Sequence, residues 1–188
     1  MANASNRIER ALARLESLSM ALSALLLLAI MLLVVADVFM RYMVNRPFSF
    51  TYDLVGLYLL AGLFFLSLSD TFRVRAHVNV DILVQHMSPP WRRASEILAC
   101  LAGLPVFAAI AWLGWERAWD NWVSNDVLAG AIAWPTWASA VLVPIGCGLL
   151  VLRLLVHLIG HLASLLTGRD ITPLPALLGH GEADRGFE

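Results

Sequence analysis

The chain has 188 residues, 60% of them hydrophobic and 14% charged, with a mean hydropathy of +0.74. That balance excludes an ordinary soluble domain, in which about a quarter of residues are charged. A net charge of -1 argues against nucleic acid as a partner, because phosphate binding needs clustered positive charge.

The first apolar run follows Arg7, Arg10 and Arg14, which resemble the positive region of a signal peptide. Yet the run is longer than the usual signal core of about 7 to 15 residues, and Glu9 and Glu16 dilute the charge ahead of it, so it is read as a retained helix. Over residues 5–18, Ile8, Leu12, Leu15 and Leu18 fall at helical spacing with Arg10, Arg14 and Glu16 between them. This predicts an interfacial amphipathic segment over 1–17 that runs into a first span over about 18–40. Asp37 is the charge inside that span. Asn45, Arg46 and Pro47 then break the helix, since Pro cannot continue it.

A second span is expected over about 53–72, with Gly56 and Gly62 inside it and Asp70 near its far end. A polar connection follows over 73–93, carrying His77, Asp81 and His86. The third span, about 94–115, contains Pro105, which should kink it. Residues 116–135, with Asp120, Asn121, Asn125 and Asp126, are too polar to cross a bilayer and are read as a connection. The fourth span, about 136–157, ends at Arg153 and His157, and residues 165–188 form a flexible cytoplasmic tail. The cysteines, Cys100 and Cys147, lie in separate apolar stretches without CxxC spacing and read as small apolar fillers.

The expected architecture is therefore an all-α integral membrane protein with four transmembrane helices spread over 18–164. Every basic residue is Arg, and ten of the 13 fall at the N-terminus, in the second connection and in the C-terminal region. By the positive-inside rule both termini face the cytoplasm. Six tryptophans, Trp112, Trp115, Trp119, Trp122, Trp134 and Trp137, gather around the third connection at the opposite surface, as an aromatic belt does.

Charge in a membrane needs a partner, and Arg41 lies on the same helical face as Asp37. An intrahelical pair is expected there, and likewise between Asp70 and Arg73. His157 and His161, four apart, have the spacing of two metal or haem ligands, but haem between helices needs His on two spans, so interfacial His with polar tips in water are expected. No Ser-His-carboxylate set and no Gly-rich phosphate loop occurs, so no enzyme, cofactor or metal is expected. Trp112, Trp115, Trp119 and Trp122 draw one helical stripe, either a lipid anchor or a docking face. Ala99 and Gly103 form a small-xxx-small pair suited to close helix approach.

Four patches in order resemble the small membrane subunit of tripartite ATP-independent periplasmic (TRAP) transporters. They are Arg41-Tyr42 followed by Asn45 and Pro47, the His77-Val78-Asn79-Val80-Asp81 stretch, Trp134-Pro135-Thr136-Trp137, and Pro144-Ile145-Gly146. The chain departs from the family where a Trp and an acidic pair precede the second helix, having Phe50 and the single Asp53. The resemblance implies a multi-pass subunit of the bacterial inner membrane. Its partners would be a large membrane subunit, a periplasmic solute-binding protein and membrane lipids. The system would take up an organic anion, such as a carboxylate, with sodium. The chain itself would be the scaffold, with Arg41, Asp53, His77 and Asp81 fixing helix ends and subunit contacts and Trp115, Trp119 and Trp122 available for docking.

A competing reading is the membrane anchor of a b-type cytochrome or related redox complex, because four helices with terminal His can hold haem. A membrane enzyme acting on lipid would need polar residues converging at one interface, which only His77, Asp81 and His86 approach.

Overall fold

The structure is a computed structural model and describes residues 2–74, 88–129 and 132–167. Four helices long and apolar enough to cross a membrane make up nearly all of it. Helix α1 (Ala2–Phe39) widens into a π-helical turn at Met40–Val44. Asn45, left-handed at φ 56°, then ends the helix by donating its N–H back to the Met40 carbonyl. Asn tolerates that conformation better than most residues, and Pro47, with no N–H to donate, could not sit inside a continuing helix.

Helix α2 (Thr51–Arg73) begins with one α-helical turn, passes through a π-helical segment at Leu54–Leu59 and continues as α-helix over Leu60–Arg73. Helix α3 (Pro89–Val123) starts with Pro89 and Pro90 in its first turn, where a missing N–H leaves no bond unmade. It continues through Pro105 and well past residue 115. The polar connection expected over 116–135 is thus helical as far as Val123. The reason is local: Glu116, Arg117 and Ala118 are good helix formers, and polar side chains are free to face water once the helix reaches the membrane surface.

A Schellman cap ends α3. Asn125, at φ 51°, donates to the Trp122 carbonyl, and Asp126 donates to that of Asn121 at 3.0 Å. Two short antiparallel strands, β1 (Val127–Leu128) and β2 (Trp134–Pro135), return the chain to α4. Helix α4 comprises Thr136–Ala140 and Leu142–Thr167.

The helices lie in the spatial order α1, α2, α4, α3, each packed on the next, and the outer pair α1 and α3 share no extensive contact. This is an open array rather than a closed bundle, so α1 and α3 expose most of their apolar surface while α2 and α4 are more enclosed. Lipid tails are as apolar as Leu, so close backbone approach rather than hydrophobic sorting holds such helices together. Gly146 on α4 sits so near α2 that a Cβ there would run into the Phe65 carbonyl, and a Cβ at Gly62 would meet Leu26 of α1 at 2.6 Å. Gly103 packs near Leu154 of α4, but its partner in the small-xxx-small pair, Ala99, is exposed. Cys100, Leu150 and Leu154 form the buried core, flanked by Leu68, Phe72, Phe107 and Leu158.

Candidate functional site

Polar side chains concentrate at the two ends of the array. At the end where α1 begins and α4 finishes, Glu16 is wholly buried at 0% exposure and Arg153 is 3% exposed. The guanidinium of Arg153 engages both carboxylate oxygens of Glu16, with Nε donating to Oε1 at 2.7 Å and the terminal nitrogen donating to Oε2. Ser69 of α2 donates its hydroxyl to Oε1 of Glu16 at 2.7 Å. Arg73 lies 3.5 Å from Oε2 and also holds Asp70 at 2.5 Å. Three helices are therefore stitched by one carboxylate, whose lone pairs are met by several donors, the condition under which a buried ion pair is tolerated.

The i, i+3 pair of Asp70 and Arg73 is present as expected, but it belongs to this larger network. Two other expectations at this end fail. Glu16, read as part of a water-facing side of an amphipathic segment, instead points into the array, because Arg153 inside α4 requires a counter-charge there. His161, expected with its tip in water, is 0% exposed, because α4 continues past residue 157 and carries it inside. Its ring lies against that of His157, with centroids 5.9 Å apart, one turn along the same helix.

At the opposite end, where the β hairpin lies, Asp37 gathers the α1–α2 turn. It accepts Arg41 at 2.9 Å, the backbone N–H of Phe48 at 2.8 Å and the Thr51 hydroxyl at 3.4 Å. The intrahelical pair is therefore real and also fixes the path of the chain after Pro47. A second clamp seats the hairpin: Asp126 accepts the Thr136 hydroxyl at 2.8 Å, and the Tyr58 hydroxyl donates to the Pro135 carbonyl. Trp134 packs tilted on Tyr58 at 5.7 Å between ring centroids. Asp53 is half-buried in the first turn of α2 and makes no hydrogen bond or ion pair among the described residues.

Two adjoining grooves open at the hairpin end. One of about 720 Å³ lies between α1 and α2 and is lined by Asp37, Arg41 and Asp53 among apolar side chains. The other, about 540 Å³, lies between α2, α3 and α4 and carries Arg117, Asn121 and Asp126. Gly56, Leu57 and Leu128 border both.

The tryptophans Trp112, Trp115, Trp119 and Trp122 are all exposed along α3, so the stripe exists as a surface. Trp122 also packs edge-to-face on Trp137 of α4 at 4.6 Å. His77 and Asp81 lie outside the described residues, as do His86 and residues 168–188 of the expected tail, whose first three residues belong to α4. Among the described residues, no group of three or more His, Cys, Asp or Glu is placed to hold a metal ion.

The structure brings Arg41 and Asp53 to one groove, keeps the tryptophans on the far helix, and adds Glu16, Ser69 and Arg153, which hydropathy alone passes over. A signal existed for Arg153, a single guanidinium within an apolar run, but not for Glu16, which follows Glu9, Arg10 and Arg14 closely in the chain. The hydroxyl partners Ser69 and Thr51 carried no such signal, because Ser and Thr occur freely in membrane helices.

Neither a characterised protein nor a solved structure matches the chain. A family model does, described as tripartite ATP-independent periplasmic transporters, DctQ component, and it covers residues 30–164. That range takes in the end of α1, the Asp37 turn, α2, α3, the hairpin and nearly all of α4. The family is one of inner-membrane transport components rather than of enzymes. The chain belongs to this family and is the small membrane subunit of a TRAP transporter.

Proposed function

We propose that this subunit is a scaffold: it supports the large transport subunit and helps to form the surface on which a periplasmic solute-binding protein docks during sodium-driven uptake of an organic anion such as a carboxylate. The observation that carries the reading is that Glu16, Arg153, Asp70 and Arg73 close on one another across three helices. Side chains so engaged hold helices together and are not free to bind and release an ion. Substrate and sodium sites then belong to the large subunit.

An open helix order supports the same role. A closed bundle needs no partner, whereas here α1 and α3 present long apolar faces that lipid and a neighbouring subunit can share. In this reading both termini face the cytoplasm, as the Arg distribution implies. The hairpin end then faces the periplasm, with Arg41, Asp53 and the exposed Trp115, Trp119 and Trp122 on the docking side, and His77 and Asp81 on the cytoplasmic side.

Affinity purification of the tagged chain from its native membranes, followed by identification of what accompanies it, tests the proposal. Recovery of a large polytopic membrane protein together with a periplasmic binding protein is the expected result. Recovery of a haem-bearing redox partner, with a Soret band in the purified sample, would overturn it in favour of the cytochrome-anchor reading.

A further inference from the structure

We propose that the groove between α1 and α2 at the hairpin end binds a glycerophospholipid with a zwitterionic, primary-ammonium headgroup, of the phosphatidylethanolamine class. Along one face of α1 the lining runs Val34, Val38, Arg41, and along the antiparallel α2 it runs Leu60, Gly56, Asp53. Both helices thus pass from apolar at membrane depth to charged at the membrane surface, the polarity order of a lipid from acyl chain to headgroup. Tyr52, among the most exposed side chains, stands at the rim, where an amphipathic ring suits the interface.

The shape of the groove has a local cause. A Cβ added at Gly56 would meet nothing within 4 Å, so the missing side chain leaves open volume along the groove. The π-helical segment Leu54–Leu59 surrounds it, and such segments recur at functional sites.

Charge selects the occupant. The Arg41 side chain is 60% exposed and donates from one terminal nitrogen to Asp37, which leaves other guanidinium N–H groups facing outward. Guanidinium is suited to a phosphodiester in the way a planar fork is. Asp53 supplies a carboxylate with no partner among the described residues, suited to an ammonium that can donate hydrogen bonds. Asp37, Arg41 and Asp53 together carry net negative charge, which disfavours an anionic headgroup. Choline lacks the N–H that Asp53 would accept.

The test is native mass spectrometry of the full-length chain, purified in mild detergent with its associated membrane subunit and titrated with phosphatidylethanolamine, phosphatidylcholine or phosphatidylglycerol. The expected result is retention of phosphatidylethanolamine about tenfold over the other two, as one charge-assisted hydrogen bond provides. Asp53→Asn should lower that retention by about the same factor, and Gly56→Leu should remove it by filling open space. Equal retention of the three lipids, or no change with Asp53→Asn, overturns the proposal. So does loss of the membrane subunit in Gly56→Leu with lipid retention unchanged, which would make the groove a protein contact. Should Gly56→Leu fail to assemble, Asp53→Asn, with helicity checked by circular dichroism, decides alone.

Discussion

Glu16 on the first helix and Arg153 on the last, 137 positions apart in the chain, form a two-point ion pair closed to solvent. Removing one partner leaves a charge with neither water nor counter-ion, and breaking such pairs costs about 3–5 kcal/mol. Glu16→Ala or Arg153→Ala should therefore lower the melting temperature in detergent sharply, whereas the double replacement Glu16→Leu with Arg153→Met should recover most of the loss. Thermal unfolding followed by fluorescence decides it. A double variant no more stable than the singles would show that the pair is not the source of the effect.

Asp37 is the corresponding anchor at the hairpin end, but it faces a more open site. Asp37→Ala removes the acceptor for the Phe48 N–H and the Arg41 guanidinium together, and should destabilise by about 1–3 kcal/mol. Asp37→Asn keeps an oxygen for the Phe48 N–H and should fall between that variant and the parent. Limited proteolysis of the 45–50 turn, compared with unfolding temperature, reads both effects.

Two glycines on the same helix make a matched pair. Gly146→Ala drives a methyl into the Phe65 backbone of α2, where nothing flexible can yield, and should destabilise by about 1–3 kcal/mol. Gly148→Ala meets nothing within 4 Å and, with Ala the better helix former, should be neutral or slightly stabilising. The comparison requires only expression level and thermal stability of the two proteins side by side.

The tryptophan stripe separates into anchors and a packing residue. Trp115→Ala and Trp119→Ala remove exposed rings and should leave unfolding temperature nearly unchanged, while Trp122→Ala loses the edge-to-face contact with Trp137, worth about 0.5–1.5 kcal/mol. If the exposed rings form a docking face, solute uptake should fall in the first two variants although the complex still assembles. Unchanged uptake would assign them to lipid anchoring.

Orientation is open to chemical labelling, because both native cysteines are 1% exposed and should stay silent toward a membrane-impermeant thiol reagent. A Ser124→Cys variant, at the exposed end of α3, should label from the periplasmic side of spheroplasts, in keeping with cytoplasmic termini. Labelling only after membrane disruption would invert the topology.

Hydropathy by itself determined the four spans, because a bilayer core about 30 Å thick demands long apolar helices whatever surrounds them. Helical spacing of opposite charges determined the short-range pairs, Asp37 with Arg41 and Asp70 with Arg73, by placing their side chains on one face. Helix ends were less legible: α3 runs on to Val123 because helix propensity and a Schellman cap, rather than hydropathy, decide where a helix stops outside the membrane. Only the tertiary structure decided the order α1, α2, α4, α3, the burial of Glu16, Arg153 and His161, and the meeting of Arg41 with Asp53 in one groove. The reason is that spans apolar on every side carry no periodic signal of which face meets lipid and which meets protein. Contacts between residues far apart in the chain are chosen by close backbone approach at glycine and by the need of each buried charge for a partner.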